Sequence, residues 1–382
     1  MGVLAKLSAL VVVVVVLLTI GFHNSIEVRY HVCFLSNVGY LDVLGSSYKS
    51  YWEKCIADAS HELLLRDFPE GTGRVSKIHE VDCANGFTFE QFRAETKDFT
   101  IPFICRGMLK NNMCTNWDLN YFSSLLREDE WLRVLDLGDF NYTRKAFTSM
   151  KYPHKVEPAP VIFERIKEGN PLFLTFDNSF LTAEHPELVQ QMELDTLFPG
   201  KFFIHNTLFL SNFRQKTLGS AFHAAPSDNF FFQCRGRKHW YYLEPKYLRY
   251  VGAYLSSGVI YTTDHTDEAA ILSRLPLFEG IIEEGDVMYN PPFWLHAVGT
   301  PPGMTISVAN RFWDDFVIPR DPNAYYWDAI YKFQFPQFVT RVVYSKIMKT
   351  LVGNSYKITS LSLRETSEEP YIPPHGLLPV VD

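Results

Sequence analysis

The stretch of sequence that decides the fold is residues 223–238, which read His-Ala-Ala-Pro-Ser-Asp-Asn-Phe-Phe-Phe-Gln-Cys-Arg-Gly-Arg-Lys. Its aromatic centre has the composition of a buried strand, and the glycine near its end is typical of a turn. Comparable short runs of aromatic and β-branched residues, separated by Gly or Pro, occur at 207–210, 239–243, 280–282, 286–289 and 304–308. Many short strands at this spacing predict an all-β sandwich or barrel and not a parallel α/β sheet.

The composition agrees with a large folded core. The chain has 382 residues, of which 47% are hydrophobic and 15% aromatic, so it can bury extensive apolar surface and is not a disordered protein. Lys and Arg number 36 against 43 Asp and Glu, which gives a net charge of −7. No part of the sequence gathers five or six basic residues in a run. We therefore predict that the protein does not bind nucleic acid.

Two histidines of the β region are candidate metal ligands. His223 opens the first stretch, and His296 closes residues 285–296, which read Gly-Asp-Val-Met-Tyr-Asn-Pro-Pro-Phe-Trp-Leu-His. Histidines on different strands of a small barrel can converge inside it, where imidazole nitrogens suit iron, zinc or copper. Taken singly, each histidine is more often a packed core residue than a ligand. The pattern of residues around the two histidines is what favours a metal site.

These motifs resemble the JmjC and cupin-8 branch of the double-stranded β-helix oxygenases. The family pattern is H-x-D-P-x-D-N-x-x-x-Q-x-x-G-x-K, followed by G-D-x-x-x-x-P-x-x-W-x-H, and residues 223–238 and 285–296 are similar to both parts. Residues 305–313 are similar to the closing strand of the family, and residues 101–109 with 117–119 to its entry motif. The resemblance covers about residues 85–315. It implies a mainly β protein with a double-stranded β-helix, or jelly-roll, core and flanking helices.

The resemblance also implies the roles of four residues. His223 and His296 would be the two histidine ligands of Fe(II). Lys238 would pair with the distal carboxylate of the cosubstrate 2-oxoglutarate, and the hydroxyl of Ser220 would meet the same carboxylate. A buried cation with a hydroxyl is a sound way to satisfy a carboxylate that has left water. Without the motif, Lys238 reads as a surface lysine after a glycine turn.

One position departs from the family pattern. The carboxylate ligand that the family has two residues after the first histidine is Ala225 here. Three interpretations follow: chloride fills the open position, as in halogenase relatives; the protein is a non-catalytic relative used for binding or as a scaffold; or another group substitutes. Asp228 is the nearest acid, although bracing the turn is the better role for it. The predicted function is a 2-oxoglutarate-dependent oxygenase, a hydroxylase or a halogenase, with the non-catalytic protein as the alternative.

The N-terminal segment predicts a membrane anchor. Residues 7–26 contain no Asp, Glu, Lys or Arg, and Lys6 precedes them. We predict an uncleaved signal anchor over residues 1–26, with a cleaved signal peptide as the alternative, and a chain that faces the ER or Golgi lumen or is secreted. The sequon at Asn141 fits such a location.

The six cysteines lack any C-x-x-C spacing, which argues against a zinc site. Disulfides are expected among the first five, with at least one of these left over or paired to Cys234. A literal H-x-D at His265 is predicted to lie in a surface loop before a helix over 269–275, where Asp267 favours the helix N-terminus.

The remaining segments complete the predicted organisation. An N-terminal extension containing cysteines covers 27–84, the oxygenase-like domain 85–315, and a helical segment with a Pro-rich tail 316–382. Within the helical segment, residues 334–351 have apolar positions at helical spacing. We expect them to pack on the barrel, or on a second copy of the chain to form a homodimer. The substrate, a protein side chain or a small molecule, stays open. A nuclear histone demethylase is disfavoured by the anchor and the lack of basic tracts, and a lectin-like or scaffolding jelly roll would need neither Lys238 nor paired histidines.

Overall fold

The structure, a computed structural model, describes residues 3–37, 46–136, 154–169, 172–174, 181, 184–201, 203–214, 217–256, 259–263, 266–312, 320–324 and 326–329. Three predicted features lie outside these residues: the sequon at Asn141, His265, and the amphipathic segment 334–351.

Strands dominate the middle of the chain. In chain order they are β1 Arg74–Lys77, β2 His79–Asp82, β3 Phe103–Arg106, β4 Trp131–Asp136, β5 His154–Pro158, β6 Leu172–Leu174, β7 Phe203–Phe213, β8 Thr217–Ala224, β9 Asp228–Arg235, β10 Lys238–Leu243, β11 Ala253–Ser256, β12 Val259–Thr262, β13 Pro276–Ile282, β14 Val287–Asn290, β15 Leu295–Thr300 and β16 Gly303–Phe312. They form two sheets, in the orders β1-β13-β10-β15-β8-β12-β11 and β2-β3-β14-β9-β16-β7-β6-β4-β5. The pairing is antiparallel except for β1 with β13 and β2 with β3.

Helices flank the two sheets. In chain order they are α1 Val3–Asn24, α2 Ile26–Asn37, α3 Ser46–Asp67, α4 Phe89–Glu95, α5 Leu119–Leu125, α6 Ala159–Lys167, α7 Pro186–Gln191, α8 Leu194–Leu197 and α9 Glu268–Arg274. Local chemistry explains several of their ends. Thr88 and Gln91 form a reciprocal capping box on α4, while Asp118 caps α5 and Asp267 caps α9. The predicted role of Asp267 at a helix N-terminus is thereby confirmed.

The two sheets pack face to face around an apolar interior. Residues of both sheets meet there, including Trp240 and Val298 from one and Phe231 and Met288 from the other. Because successive strand residues point to opposite faces, the alternate residues of the same strands face outward. Helices α2, α3 and α9 cover the outer face of the first sheet, and helices α4 to α8 that of the second. This arrangement confirms the predicted mainly β jelly-roll core with flanking helices.

Some predicted elements are displaced along the chain. Before β7 the chain forms two short helices, α7 and α8, and not one continuous helix, because Glu193 between them adopts a left-handed conformation at φ 52°. The helix expected over 269–275 begins one residue earlier, because the side chain of Asp267 accepts a hydrogen bond from the backbone of Ala270 and starts it. Helix ends depend on such caps more than on apolar periodicity.

Four of the six cysteines form two disulfides. Cys33 joins Cys55 and ties α2 to α3, and Cys83 joins Cys105. Of the five cysteines in the first third of the chain, Cys114 is the one left over, as expected, and its thiol hydrogen-bonds with that of Cys234 in the core around α4 to α8. Both cysteines of the first disulfide lie within the N-terminal extension. Tyr30 and Phe34 of α2 are buried in the same hydrophobic cluster as Cys33.

The two N-terminal helices differ in their surroundings. Residues 13–18 of α1 are apolar and each 45–62% exposed, whereas α2 packs against the domain. In the described part of the chain, no single helix is long and apolar enough to cross a membrane. Two successive helical segments, Val13–Asn24 and Ile26–Phe34, are long and apolar enough only when taken together, and the chain bends by 118° between them.

Candidate functional site

The two histidines predicted to bind metal lie side by side inside the barrel. His223 on β8 pairs in register with His296 on β15, and their ring centroids are 4.3 Å apart. Nδ1 of His223 lies 2.8 Å from the carbonyl oxygen of Ala221. Nδ1 of His296 lies 2.9 Å from that of Trp294. A carbonyl partner keeps the proton on Nδ1 and leaves Nε2 with a lone pair, so both rings can offer Nε2 to one metal ion.

Both imidazoles are neutral at physiological pH. Burial lowers the pKa of His223 to about 4. Burial, and then the charge of His223, lower the pKa of His296 well below its usual value. A metal ion binds the neutral ring, so no proton has to be displaced from Nε2 near pH 7.

A β-bulge places Ser220 on the same face as His223. His296 pairs with His223 and Val298 pairs with Ser220, so β8 has one residue more than β15 between the two pairs. In a regular strand, residues three apart point to opposite faces. The extra residue in β8 compensates for the odd spacing, and Ser220 and His223 therefore both face the interior.

Lys238 lies deep in the same interior. It begins β10, is 1% exposed, and its Nζ donates to Oγ1 of Thr300 at 3.2 Å. Burial lowers its pKa to about 7. Gly236 fixes the turn before it, because its φ is +72° and a Cβ there would collide with the carbonyl of Met304. The sequence pattern Gly-x-Lys thus directs a lysine inward from a hairpin turn, and the surface position that a lone lysine suggests is wrong.

The interior collects polar atoms that lack hydrogen-bond partners within the described residues. They are Oγ of Ser220, Oδ1 of Asn229, Nε1 of Trp240, the hydroxyl of Tyr242, Oδ1 of Asn290 and Oγ1 of Thr305. Buried polar groups normally have partners, and leaving one without costs about 1–3 kcal/mol. Six such atoms on strands of the two sheets that enclose the histidines and Lys238 indicate an interior suited to a polar ligand.

Ala225 and Asp228 occupy different environments after β8. Ala225 is 8% exposed and its carbonyl accepts from the backbone N–H of Phe293, which adopts a left-handed φ of 63° in the loop before His296. Asp228 is also buried, but its carboxylate accepts a hydrogen bond from the hydroxyl of Tyr289, in the outer core. Asp228 therefore braces the fold and does not face the histidines.

Sequence reasoning did not identify three further residues of the interior. Asn229 on β9 and Asn290 on β14 are register partners, and Nδ2 of Asn290 lies 3.4 and 3.5 Å from the ring nitrogens of His296. Arg311 on β16 pairs with Asn229, and its charge acts on both histidines. Their sequence signal is weak, since polar residues in the strand runs 229–234 and 286–290 become informative only when the barrel interior is known.

The donor set fits a divalent transition metal. Two imidazole nitrogens are suitable ligands for iron, copper or zinc. Within the described ranges, no group of three or more His, Cys, Asp and Glu could hold a metal ion. A metal between these histidines would therefore have no carboxylate ligand from the part of the chain that the structure describes.

Comparison with known proteins agrees with the architecture. Residues 89–317, more than half of the chain, match the Cupin-like domain (Cupin_8). The chain is also similar to tRNA wybutosine-synthesizing protein 5 from Gallus gallus, at 22% identity over 57% of this chain and 73% of that protein. Identity to the Homo sapiens and Mus musculus proteins of the same name is 24% and 25%, over 56% of this chain and 71% of each of them. From the fold, the interior site and the match together, the chain belongs to the Cupin-like domain family.

Proposed function

We propose that this protein is an Fe(II)- and 2-oxoglutarate-dependent oxygenase of the JmjC type. The observation that carries the proposal is the pair of neighbouring histidines, His223 and His296, whose Nδ1 atoms each lie within hydrogen-bond distance of a backbone carbonyl in the barrel. Packing in the core alone does not require a second imidazole whose ring centroid lies 4.3 Å away and whose Nδ1 also faces a carbonyl. Bound Fe(II) would activate oxygen for attack on a substrate carbon, with 2-oxoglutarate as the source of electrons.

The chain's own residues support a dicarboxylate cosubstrate. Lys238, at the deep end of the interior, would take the distal carboxylate, with the unpartnered hydroxyl of Ser220 as a further donor. Charge-assisted hydrogen bonds to a buried carboxylate are about twice as strong as neutral ones. The rings of Trp240 and Tyr242, stacked 5.7 Å apart, lie 5.5 and 5.6 Å from the ring of His296 and would exclude water from the histidine end of the interior.

Ala225 distinguishes this chain from the family pattern. We propose that its methyl group stands where the family has the carboxylate ligand, so that chloride, water or an amide oxygen completes the coordination. Asp228 is excluded from that role by its hydrogen bond with Tyr289. A bound chloride would favour halogenation, and an exchangeable water would favour hydroxylation.

The test is a melting experiment on the wild-type protein with Fe(II) under anaerobic conditions. We expect 2-oxoglutarate to raise Tm by several degrees only when metal is present, because ligand at about 100 times its Kd adds about 2.7 kcal/mol to stability. Glutarate, the five-carbon diacid without the keto group, is the matched control and should give a small shift that does not depend on metal. Equal shifts for both diacids, with and without Fe(II), would refute the cosubstrate role.

A second candidate function is a non-catalytic relative that binds a ligand. The observation favouring it is the absence, among the residues that the structure describes, of any carboxylate beside the histidines, together with the cation of Arg311 near them. A positive charge close to a metal ion weakens its binding. This candidate predicts that polar ligands stabilise the protein while Fe(II) leaves Tm unchanged.

The substrate is proposed to be a protein side chain or a small molecule. The curated relatives are named for the synthesis of a tRNA nucleoside. This chain has a net charge of −7, whereas binding to nucleic-acid phosphates depends on clustered Lys and Arg. Electrophoretic mobility shift with total tRNA at low salt should show no complex.

The N-terminal segment is proposed to anchor the protein in a membrane, with the domain in the lumen of the secretory pathway. Support comes from the exposed apolar residues 13–18, the uncharged run after Lys6, and the two disulfides. In cells, glycosidase treatment should increase the gel mobility of the wild type but not of Asn141→Gln. A protein that alkaline carbonate releases from membranes and that is wholly cytosolic would contradict the topology.

A further inference from the structure

Arg311 is an unexpected cation beside the two histidines. It lies on β16, between Asn310 and Phe312, and two residues after Ala309, which faces the barrel interior. It pairs in register with Asn229, whose own partner Asn290 contacts the ring of His296, and its charge lowers the pKa of both histidines. Nη1 donates to Oγ of Ser227 at 3.3 Å.

The guanidinium has no acidic partner within the described part of the chain. The ion pairs found there do not include Arg311. Two effects change its pKa, which are burial and the nearby phenol of Tyr261. Burial lowers its pKa to about 10, so it stays charged at physiological pH. A partly buried charge that is not balanced by an opposite charge destabilises the fold. The folded protein would gain stability from an anion at this position.

We propose that Arg311 and Ser227 form a binding site for one small monovalent anion next to the histidine pair. The inference deepens the proposed function, since an anion held there can also reach a metal bound by His223 and His296. Ala225 lies two residues before Ser227, so the position without a carboxylate side chain and the hydroxyl that accepts from Arg311 belong to the same turn between β8 and β9. An exogenous anion would balance the charge of Arg311 and take the place of the carboxylate that is missing at Ala225.

Arg311 and Lys238 define two separate anion positions. Lys238 bonds to Thr300, which pairs with Thr217 at the start of β8, whereas His223 is near the end of that strand. Arg311 pairs with Asn229 at the start of β9, near the histidines. A dicarboxylate that extends from Lys238 to the metal would leave the Arg311 position for a second anion. This anion is either a halide or the carboxylate of an organic substrate, since both carry one negative charge and accept hydrogen bonds from a guanidinium.

The test is ³⁵Cl NMR on the metal-free full-length protein at constant ionic strength, with methanesulfonate as the balancing anion. We expect the protein to broaden the chloride signal, and Arg311→Met to reduce this broadening at least tenfold. Arg235→Met, which removes an exposed cation seven residues after Asp228, is the matched control and should broaden the signal like the wild type. Ala225→Asp should also abolish the broadening, because its carboxylate would pair with Arg311.

A second arm identifies the anion. Acetate that removes the broadening at a concentration equal to that of chloride supports a substrate carboxylate, and acetate without effect supports a halide. Wild-type broadening that Arg311→Met leaves unchanged would overturn the inference. A melting curve of each variant shows that it folds, and Arg311→Met should melt at or above the wild-type Tm in chloride-free buffer. Fe(II) binding measured on the same samples tests the proposed function separately, because the chloride result does not need metal.

Discussion

Replacing His223 or His296 by Ala is expected to weaken Fe(II) binding by more than about 100-fold, which is more than the loss typical of a residue that only orients a ligand. The two Nε2 atoms are the strongest donors of the site, and the interior offers no carboxylate in the described residues to take their place. A single remaining imidazole with amide oxygens binds a divalent metal poorly. Equilibrium dialysis with Fe(II) under anaerobic conditions, or with Co(II) in air, measures the change.

His239→Ala is the matched control for this prediction. His239 is on β10, one residue after Lys238, and its Nε2 lies 3.1 Å from Glu279 on the outer side of the sheet. Its removal should leave metal affinity unchanged. If His223→Ala and His296→Ala both bind metal as tightly as the wild type, the metal site lies elsewhere or does not exist, and the non-catalytic candidate is favoured.

Replacing Lys238 by Met is expected to weaken 2-oxoglutarate binding by about 100-fold, equivalent to about 3 kcal/mol for a charge-assisted hydrogen bond in the interior. Met has a similar length and no charge, and removal of a buried amine should not destabilise the ligand-free protein. Isothermal titration with the protein and Fe(II) under anaerobic conditions gives the affinity. Arg237→Met, which removes an exposed cation one residue away, should bind as the wild type does.

The same lysine predicts a pH dependence. Its pKa of about 7 means that the ligand-free amine is charged below that pH and neutral above it. A carboxylate ligand needs the charged form, so affinity for 2-oxoglutarate should fall by up to tenfold per pH unit above about 7. Burial holds the pKa of both histidines well below the usual value, so the rings stay neutral near pH 7. Metal affinity should therefore stay constant between about pH 6 and 8. Affinity for 2-oxoglutarate that is constant over the same range would contradict the role of Lys238.

Much of the fold could be predicted because its signals are local. The strand run 229–234 alternates outward phenylalanines with inward Asn229, Phe231 and Gln233, as period-two burial on two faces requires. The turn at Gly236 fixes where β10 begins and therefore which way Lys238 points. The resemblance then assigned His223, His296, Lys238 and Ser220 to one interior, and the structure places all four there.

The rest depends on contacts between distant segments. The bulge that turns Ser220 inward is visible only when β8 is paired with β15. Arg311 reads as an ordinary charged residue near the end of a strand, and its position beside the histidines follows from the register of β16 with β9. Asp228 was expected to brace the turn, and the contact that the structure gives its carboxylate is with Tyr289, which lies 61 residues away along the chain. Register across a sheet is a tertiary property, and local pattern does not specify it.

The measurement that tests the central claim most directly is an anaerobic titration of the full-length wild-type protein with Fe(II) and 2-oxoglutarate, followed by the metal-to-ligand absorption band. Chelation of the metal by the keto acid produces this band only if protein ligands hold the metal beside the diacid. We predict a band that saturates at one Fe(II) per chain, needs both components, and is absent in His296→Ala. A protein that gives no band with both components present, while it binds 2-oxoglutarate, would contradict the metal site at His223 and His296.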